Sequence, residues 1–303
     1  MRCLIRAERR TSRARSVGCG TVLLASISSP PANTIDIGPL TVHFYGIMIG
    51  IGVLVAAIVT TRRYEKFGGD SSILDRVILW TVIAGFVGAR LAYVSTHTAR
   101  YQGRWYAVFF IWEGGLALYG GLTAGAIAAV YMLRKLDGDF PMFTDAIAVG
   151  LPLAQAIGRF GNYFNQELFG TPSTLPWAVE IDVENRPSEY LEYETFHPTF
   201  LYEALWNVFV TVPIILWLER RGKLAKGASF PIYMIVYGTI RFLTELVRTD
   251  TTFRFLGLSR NAYVSIAAIV GGIVLLVIIQ RRGVPRGGRP PAPEREDVAA
   301  DSD

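Results

Sequence analysis

The densest polar stretch of this 303-residue chain, GRFGNYFNQE at 158–167, lies inside an otherwise apolar segment. On a helix, Arg159, Asn162 and Gln166 would share one face, with Asn165 beside them. A guanidinium offers five donors in a planar fork that matches phosphate, and the amides add neutral donors. Two glycines in the stretch would let a headgroup approach the backbone. The pattern therefore indicates a site for a phosphate-bearing group.

A second polar face lies near the C-terminal end of a later apolar segment, where Tyr237, Arg241, Glu245 and Arg248 follow one another at helical spacing. Arg241 and Glu245 are four residues apart and can pair on one helix. Two helices that each carry an arginine could clamp an anionic phospholipid headgroup between them. This clamp is the central hypothesis for the site.

Several charged residues fall inside segments that are otherwise typical of membrane spans, where a central Arg or Asp costs about 2.5–3.5 kcal/mol. Mutual neutralisation accounts for part of Glu113, Glu203 and Glu245. It explains Arg159 less well, because no acid lies within one turn of that arginine. The full set is Arg90, Glu113, Asp145, Arg159, Glu203, Arg241 and Glu245.

The elements that must carry these residues are membrane helices. The chain is 51% hydrophobic and only 18% charged, whereas soluble domains carry roughly 25% charge. Lipid offers no hydrogen bonds to the backbone, so apolar runs of about 20 residues should be helical. The sequence predicts an all-α, polytopic membrane protein with about seven spans, at 42–61, 77–96, 109–133, 144–166, 199–218, 229–247 and 262–280.

The distribution of Lys and Arg predicts the orientation of these spans. The richer set of loops follows the first, third, fifth and seventh spans, so this set should face the cytoplasm. The N-terminus then lies outside and the C-terminus inside. Basic tracts between apolar runs are typical of membrane topology, and no nucleic-acid partner is expected despite the net charge of +5. The loop 167–198 is the longest, and it should form a small extracytoplasmic head over the site.

The two ends of the chain differ from this pattern. Residues 1–15 carry six arginines, which conflicts with an external N-terminus. Residues 1–29 loosely imitate a signal peptide, or the natural start lies near Val22 or Leu23; we favour the second interpretation. We expect an extracytoplasmic N-terminal segment at 1–40, a catalytic membrane domain at 41–280 and a disordered cytoplasmic tail at 281–303, which is rich in Pro, Gly and charge. The two cysteines form no CxxC motif.

The segment GRFGNYFNQELFG at 158–170 resembles the signature of the prolipoprotein diacylglyceryl transferase family. Further blocks keep the family's order and cover nearly all of 41–280. They are HFYGIMIGIGVL at 43–54, GARLAYV at 88–94, WEGGLALYGGL at 112–122, PWAVEI at 176–181, HPTFLYE at 197–203 and YGTIRFLTELVR at 237–248.

This resemblance implies an enzyme of the bacterial cytoplasmic membrane. It would transfer the diacylglyceryl group of phosphatidylglycerol to the lipobox cysteine in the signal peptide of a preprolipoprotein. The product is a thioether, glycerol phosphate is released, and neither a metal nor an organic cofactor is expected. Carried over by motif, the residues that bind phosphatidylglycerol are Tyr45, Arg159, Asn162, Asn165, Gly170, Tyr237 and Arg241, and Glu167 and Glu245 match the same blocks.

One position departs from the family pattern. Well-studied members of the family carry a histidine before the second glycine pair of the block WEGGLALYGGL, and this chain has Tyr119 there, ahead of Gly120 and Gly121. Tyrosine ordinarily titrates at about 10 and is a poor base near neutral pH. The candidates for the base are Tyr119, Glu167 and His197, and for His197 a structural role at the start of the fifth span is favoured. Arg159, Arg241, Tyr119 and Glu167 are therefore the candidate catalytic residues.

Other classes of protein compete with this interpretation. Intramembrane arginines also suit a transporter or channel for an anionic or lipid substrate, but no repeat between the chain halves supports one. Another lipid enzyme, such as a phosphatase, would show paired aspartates or a histidine phosphate motif, and neither is present. A non-catalytic scaffold leaves the polar face at 158–167 unexplained.

Overall fold

The computed structural model describes residues 26–38, 40–110, 114–249 and 254–283. The predictions for residues 1–15 and for the tail beyond 283 lie outside the described residues, as does Glu113. The predicted all-α membrane architecture is confirmed. The helices are α1 Phe44–Lys66, α2 Ser71–Thr96, α3 Leu118–Lys135, α4 Phe140–Phe164, α5 Thr199–Trp206, α6 Val212–Arg220, α7 Ser229–Val247 and α8 Arg260–Arg282.

Six helical segments of the described chain are long and apolar enough to cross a membrane, judged by length and composition. Five are single helices, α1, α2, α4, α7 and α8. The sixth is Thr199–Arg220, in which a π-helical turn at Asn207–Thr211 joins α5 to α6. Of the seven predicted spans, only 109–133 is not in this set. Its helix, α3, begins at Leu118 and has 18 residues.

Arg90 of α2 is bonded to the part of the chain that precedes α3. Its five guanidinium donors bond to backbone carbonyls there, two of them in the 3-10 turn Trp105–Phe109, and the side chain is buried. The acceptors are Ala107, Val108, Phe110, Gly114 and Gly115, at 2.5–3.0 Å. Gly114 and Gly115 have φ of 77° and 89°, a conformation that a helix cannot continue through. The charge of Arg90 is therefore used to hold this segment.

Small residues let the helices pair closely, as is common in membranes. The main pairs are α1 with α4, α2 with α3, and α7 with α8. Between α2 and α3, a Cβ added to Gly88 would lie 2.3 Å from the Cβ of Ala124. A Cβ added to Gly120 would lie 2.3 Å from the Cβ of Ala92. A larger side chain at either glycine would force these two helices apart.

A buried polar network lies at the end of the helix bundle away from the signature segment 158–170. Asp145 accepts hydrogen bonds from the backbone N–H groups of Gly227 and Ser229, at 2.7 and 2.9 Å, where α7 begins. Nearby, Arg63 of α1 forms a 2.7 Å ion pair with Glu219 of α6. The intramembrane charge of Asp145 thus caps a helix and ties α4 to α7.

A small head covers the other end of the bundle. It contains the two-stranded pair β3 Val179–Glu180 and β4 Thr195–Phe196, and the loop to α8 contains a second short pair, β5 Arg254–Phe255 and β6 Leu258–Ser259. The apolar core of the head consists of Phe169, Val179, Ile181, Phe196 and Phe200.

The segment before α1 joins this head. It forms the hairpin β1 Thr34–Ile37 and β2 Leu40–His43, and before it Ile27 pairs with Val179 as a parallel bridge. Asp182 accepts hydrogen bonds from Gln166 at 2.6 Å and from Ser29 at 2.9 Å. These bonds hold the pKa of the Asp182 carboxyl below its usual range, with Gln166 the larger cause. The head therefore includes residues that precede the hairpin.

Candidate active site

Three helices bring Arg159 of α4, Glu203 of α5 and Arg241 of α7 together. One Glu203 carboxylate oxygen, Oε2, is in direct contact with the Arg159 guanidinium, and Oε1 lies 3.5 Å from the Arg241 guanidinium. The carboxylate is buried and accepts a 3.0 Å hydrogen bond from the Thr244 hydroxyl. The expectation that neutralisation explains Arg159 poorly was therefore wrong, because its acid comes from a neighbouring helix rather than from its own turn.

The predicted pair on α7 is confirmed. The Arg241 guanidinium lies 3.0 Å from the Glu245 carboxylate. Glu245 is also within 3.5 Å of Arg248 and accepts a 2.7 Å hydrogen bond from the Ser259 hydroxyl. Ser259 in turn caps the first turn of α8. Glu245 therefore links the arginine cluster to the start of the last helix.

The signature is divided between a helix and a turn. α4 ends at Phe164, and Gln166 has a φ of 50°. The prediction that Gln166 shares a helical face with Arg159 was wrong, because its amide is bonded to the backbone and side chain of Asp182 in the head. Gln166 therefore positions the head.

The other amides of the signature surround Glu167. Asn162 and Asn165 donate to the same Glu167 oxygen at 2.9 and 3.3 Å. Arg159 donates to the side-chain amide oxygen of Asn162, Oδ1, at 3.4 Å. Asn162 therefore connects the arginine to the carboxylate, while Glu167 itself lies at the exposed surface.

Two tyrosines complete the cluster. The Tyr237 hydroxyl lies near the Arg159 guanidinium and interacts with it electrostatically. The Tyr45 ring lies against Gly161, where an added Cβ would come within 2.3 Å of the ring, and Tyr45 is close enough to interact electrostatically with both Arg159 and Glu167. The glycine at 161 thus makes room for an aromatic ring beside the arginine.

Gly170 lies where the head meets the end of α7. A Cβ at this position would lie 2.8 Å from the Cβ of His197 and 3.0 Å from the carbonyl oxygen of Val247. Its N–H donates to the His197 carbonyl at 2.9 Å. Gly170 therefore lets the head pack closely against the end of α7.

Two candidate bases lie apart from the contacts of the arginine cluster. Tyr119 is 64% exposed on the first turn of α3, and its hydroxyl bonds to none of the residues that the structure describes. The His197 ring is hydrogen-bonded to the Tyr202 hydroxyl at 3.0 Å. The side chain of His197 does not cap α5, contrary to the favoured expectation, because α5 begins after Pro198 without a side-chain cap.

An open cavity of about 520 Å³ adjoins the signature. Its lining residues come from β2, the first turn of α1, the turn before α3 and the end of α4. They are Thr41, Val42, His43, Tyr45, Gly46, Ile47, Gly114 and Asn165. His43 was not singled out from the sequence. The available signal was its place at the start of HFYGIMIGIGVL, one of the blocks that carry the family resemblance.

Comparison with known proteins decides the family. Residues 32–278 match the family model described as prolipoprotein diacylglyceryl transferase. The chain belongs to this family. The match begins two residues before β1 and ends within α8, so it contains α1 to α7, most of α8 and the strand pairs β1–β2, β3–β4 and β5–β6 of this transferase-family protein.

Several curated relatives bear the name phosphatidylglycerol–prolipoprotein diacylglyceryl transferase. The protein from Cutibacterium acnes is 41% identical over 279 residues, covering 91% of this chain and 94% of the relative. Its counterpart from Streptomyces coelicolor, numbered 2, is 41% identical over 86% of this chain and 82% of its own length. The protein from Bifidobacterium adolescentis is 38% identical with the same coverages, 86% and 82%. The family resemblance drawn from the motifs is therefore confirmed.

Proposed function

We propose that this protein transfers the diacylglyceryl group of phosphatidylglycerol to the thiol of the lipobox cysteine in preprolipoproteins. Family membership and the names of the relatives support the transfer. The structural observation that carries the proposal is the meeting of two guanidinium groups, from Arg159 and Arg241, at one buried carboxylate. We infer that these two arginines bind the phosphodiester of the lipid. The family model and the names of the relatives disfavour the alternative function of a transporter or channel, because both name a transferase.

The sharing of carboxylates favours an anionic lipid at this cluster. Glu203 is buried and is shared between the partly buried guanidinium groups of Arg159 and Arg241. Each guanidinium has five donors, so one shared carboxylate leaves donors that the oxygens of a phosphodiester can bind. Hydrogen bonds to a charged group are stronger than those between neutral groups, which favours a phosphate-bearing headgroup here.

In the proposed reaction the sulfur of the cysteine attacks the glyceryl carbon that bears the phosphate ester. The carbon–oxygen bond breaks, its electron pair passes to the phosphate oxygen, and glycerol phosphate leaves. Arg159 and Arg241 would stabilise the charge that develops on the phosphate, as preorganised donors do in other transfer reactions. They would also raise the fraction of thiolate, which is only a few per cent for a free thiol at pH 7. Tyr237 and Asn162 hold the Arg159 fork in place.

The proposal includes the topology. The protein would lie in the bacterial cytoplasmic membrane with its head and N-terminus outside and its C-terminus in the cytoplasm. Basic residues support this orientation, because they gather in the last turns of helices that end away from the head. They are Arg63 and Lys66 of α1, Arg134 and Lys135 of α3, Arg220 of α6, and Arg281 and Arg282 of α8.

The decisive experiment is a transfer assay with purified protein in detergent, phosphatidylglycerol and a synthetic lipobox peptide. The expected product is the peptide heavier by one diacylglyceryl group, with release of glycerol phosphate. A peptide with serine in place of the cysteine should remain unmodified. Activity in detergent, where no compartments exist, excludes a pure transporter. Absence of product, when the Cutibacterium acnes relative is active in the same assay, would refute the proposed function.

A further inference from the structure

The chain has three histidines, and the structure gives them different surroundings. The His97 ring stacks on Tyr93 with centroids 4.1 Å apart, and its Nδ1 is bonded to Thr96. The His197 ring is bonded to the Tyr202 hydroxyl. The His43 side chain is exposed, lines the cavity beside the signature, and makes no hydrogen bond to the residues that the structure describes. His43 is thus the histidine available to a molecule in that cavity.

Local packing fixes His43 opposite the end of the signature helix. The next residue, Phe44, stacks on Phe164 with ring centroids 4.8 Å apart. His43 itself pairs with Thr34 in the β1–β2 hairpin. The cavity lining therefore includes both His43 and Asn165, which follows Phe164. The same cavity is bordered by Tyr45, which lies near Arg159.

We propose that His43 accepts the proton of the acceptor cysteine in this cavity, an assignment that rests on the proposed function. The S–H proton passes to a ring nitrogen of His43, and the sulfur keeps the electron pair with which it attacks the glyceryl carbon. The carbon–oxygen bond breaks, and its electrons remain on the leaving phosphate. The imidazolium then returns its proton to water. Neutral imidazole suits this step because histidine changes charge near neutral pH.

The surroundings of the other candidates favour His43. One oxygen of Glu167 already accepts hydrogen bonds from two amides, Asn162 and Asn165, and Glu167 is not among the residues that line the cavity. Tyr119 is exposed and makes none of the contacts that bind the signature together. The described residues that line the cavity include no Asp, Glu, Lys or Arg, and Tyr45 is the other titratable side chain among them. A neutral ring at His43 therefore has no ion pair to break before it takes a proton.

The test compares His43→Gln with His97→Gln, which alters a histidine at the end of α2 outside the site. Each purified variant is assayed with two lipobox peptides, one with cysteine and one with selenocysteine, whose selenol is already ionised at neutral pH. Thermal unfolding of each variant checks folding. We expect His43→Gln to lose about 10²–10⁴-fold in kcat with the cysteine peptide, the usual contribution of a general base. It should recover most of that loss with selenocysteine, at an unchanged KM for phosphatidylglycerol. His97→Gln should match the unsubstituted protein.

Two outcomes would overturn the assignment without touching the transfer reaction. His43→Gln with undiminished kcat on the cysteine peptide would show that the ring takes no proton. An equal loss with both peptides, in a protein that unfolds at the normal temperature, would make His43 a residue that positions the substrate. If the unsubstituted protein modifies neither peptide, the proposed function itself fails.

Discussion

The carboxylate of Glu203 is in direct contact with the guanidinium of Arg159, although the two residues lie on different helices. The same carboxylate reaches Arg241 on a third helix. A single acid thus lies between two cations. A phosphodiester that enters the cluster would compete with Glu203 for the guanidinium donors.

Loss of either arginine should abolish most of the activity. Removal of one donor to a developing anion typically costs about 2.7–4 kcal/mol, or 10²–10³ in rate. We expect Arg159→Ala and Arg241→Ala each to lose at least that much kcat, and lysine to rescue only partly because one ammonium cannot reproduce a bidentate fork. The double variant should fall short of the product of the two losses, because both groups act on one phosphate.

The control for the arginine series is Arg221→Ala, at the far end of the bundle, where the guanidinium stacks on Trp217. This variant should retain turnover. The measurement is kcat in the transfer assay, with thermal unfolding of every variant. Normal turnover by a well-folded Arg159→Ala protein would disprove the clamp and leave the signature with a packing role.

Substitution of the two glutamates should separate stability from turnover. Glu203→Gln leaves two arginines without their shared anion, and breaking a buried ion pair costs about 3–5 kcal/mol. We expect a lower unfolding temperature that phosphatidylglycerol raises more than it does in the unsubstituted protein, because the lipid phosphate supplies the missing charge. Glu245→Gln should lower stability more than turnover.

Both glutamate variants are measured by thermal unfolding in detergent, with phosphatidylglycerol and then with phosphatidylethanolamine added at equal concentration. The anionic lipid should restore Glu203→Gln more than the zwitterionic one, because the ammonium group of the latter offsets the charge of its phosphate. Stabilisation of Glu203→Gln by neither lipid would contradict a phosphate site between Arg159 and Arg241.

The hydroxyl group of Tyr119 should be dispensable for turnover. Its side chain is exposed, and a tyrosine is ordinarily a poor base near neutral pH. We expect Tyr119→Phe to keep substantial kcat and Tyr119→His to be tolerated, both measured in the transfer assay beside the unsubstituted protein. A drop of several orders of magnitude for Tyr119→Phe would instead make the phenol essential.

Relationships within one helix could be predicted from the sequence, and those between helices could not. The pair Arg241–Glu245 follows from a spacing of four residues, and the structure contains it. The partner of Arg159 could not be found this way, because Glu203 reaches it only through the packing of α5 against α4. The residues at which helices end could not be predicted from the sequence either. Gln166 leaves the predicted face because its amide bonds to Asp182, a contact made by the folded head.

The residue at which α3 begins could not be predicted from the sequence either. Residues 109–133 are apolar enough to suggest a continuous span, yet α3 begins only at Leu118. Within that range, the Arg90 guanidinium on α2 bonds to the carbonyls of Phe110, Gly114 and Gly115, and the two glycines have the positive φ that a helix does not have. Hydropathy measures the solvent preference of a segment, and it contains no information about a donor that arrives from a neighbouring helix.

Removal of the N-terminal segment should be harmless up to the point where the head begins. A protein that starts at Val22 keeps every contact from Ser26 onwards. One that starts at Thr34 loses the two backbone hydrogen bonds of Ile27, to Ala178 and from Glu180, at 2.7 and 2.8 Å. It also loses the carbonyl of Ser28, which accepts from the Tyr163 hydroxyl at 2.8 Å. The shorter protein therefore exposes one edge of the head.

We expect the protein that begins at Val22 to match the full chain in membrane insertion, unfolding temperature and kcat. The protein that begins at Thr34 should insert but unfold at a lower temperature and turn over more slowly, because the unpaired head positions Gln166 and the signature less firmly. The three proteins are compared at equal expression in the transfer assay. Loss of activity on removal of residues 1–21 alone would show that the basic segment contributes to function. Full activity of the shortest protein would show that the head holds its position without the strand at Ile27.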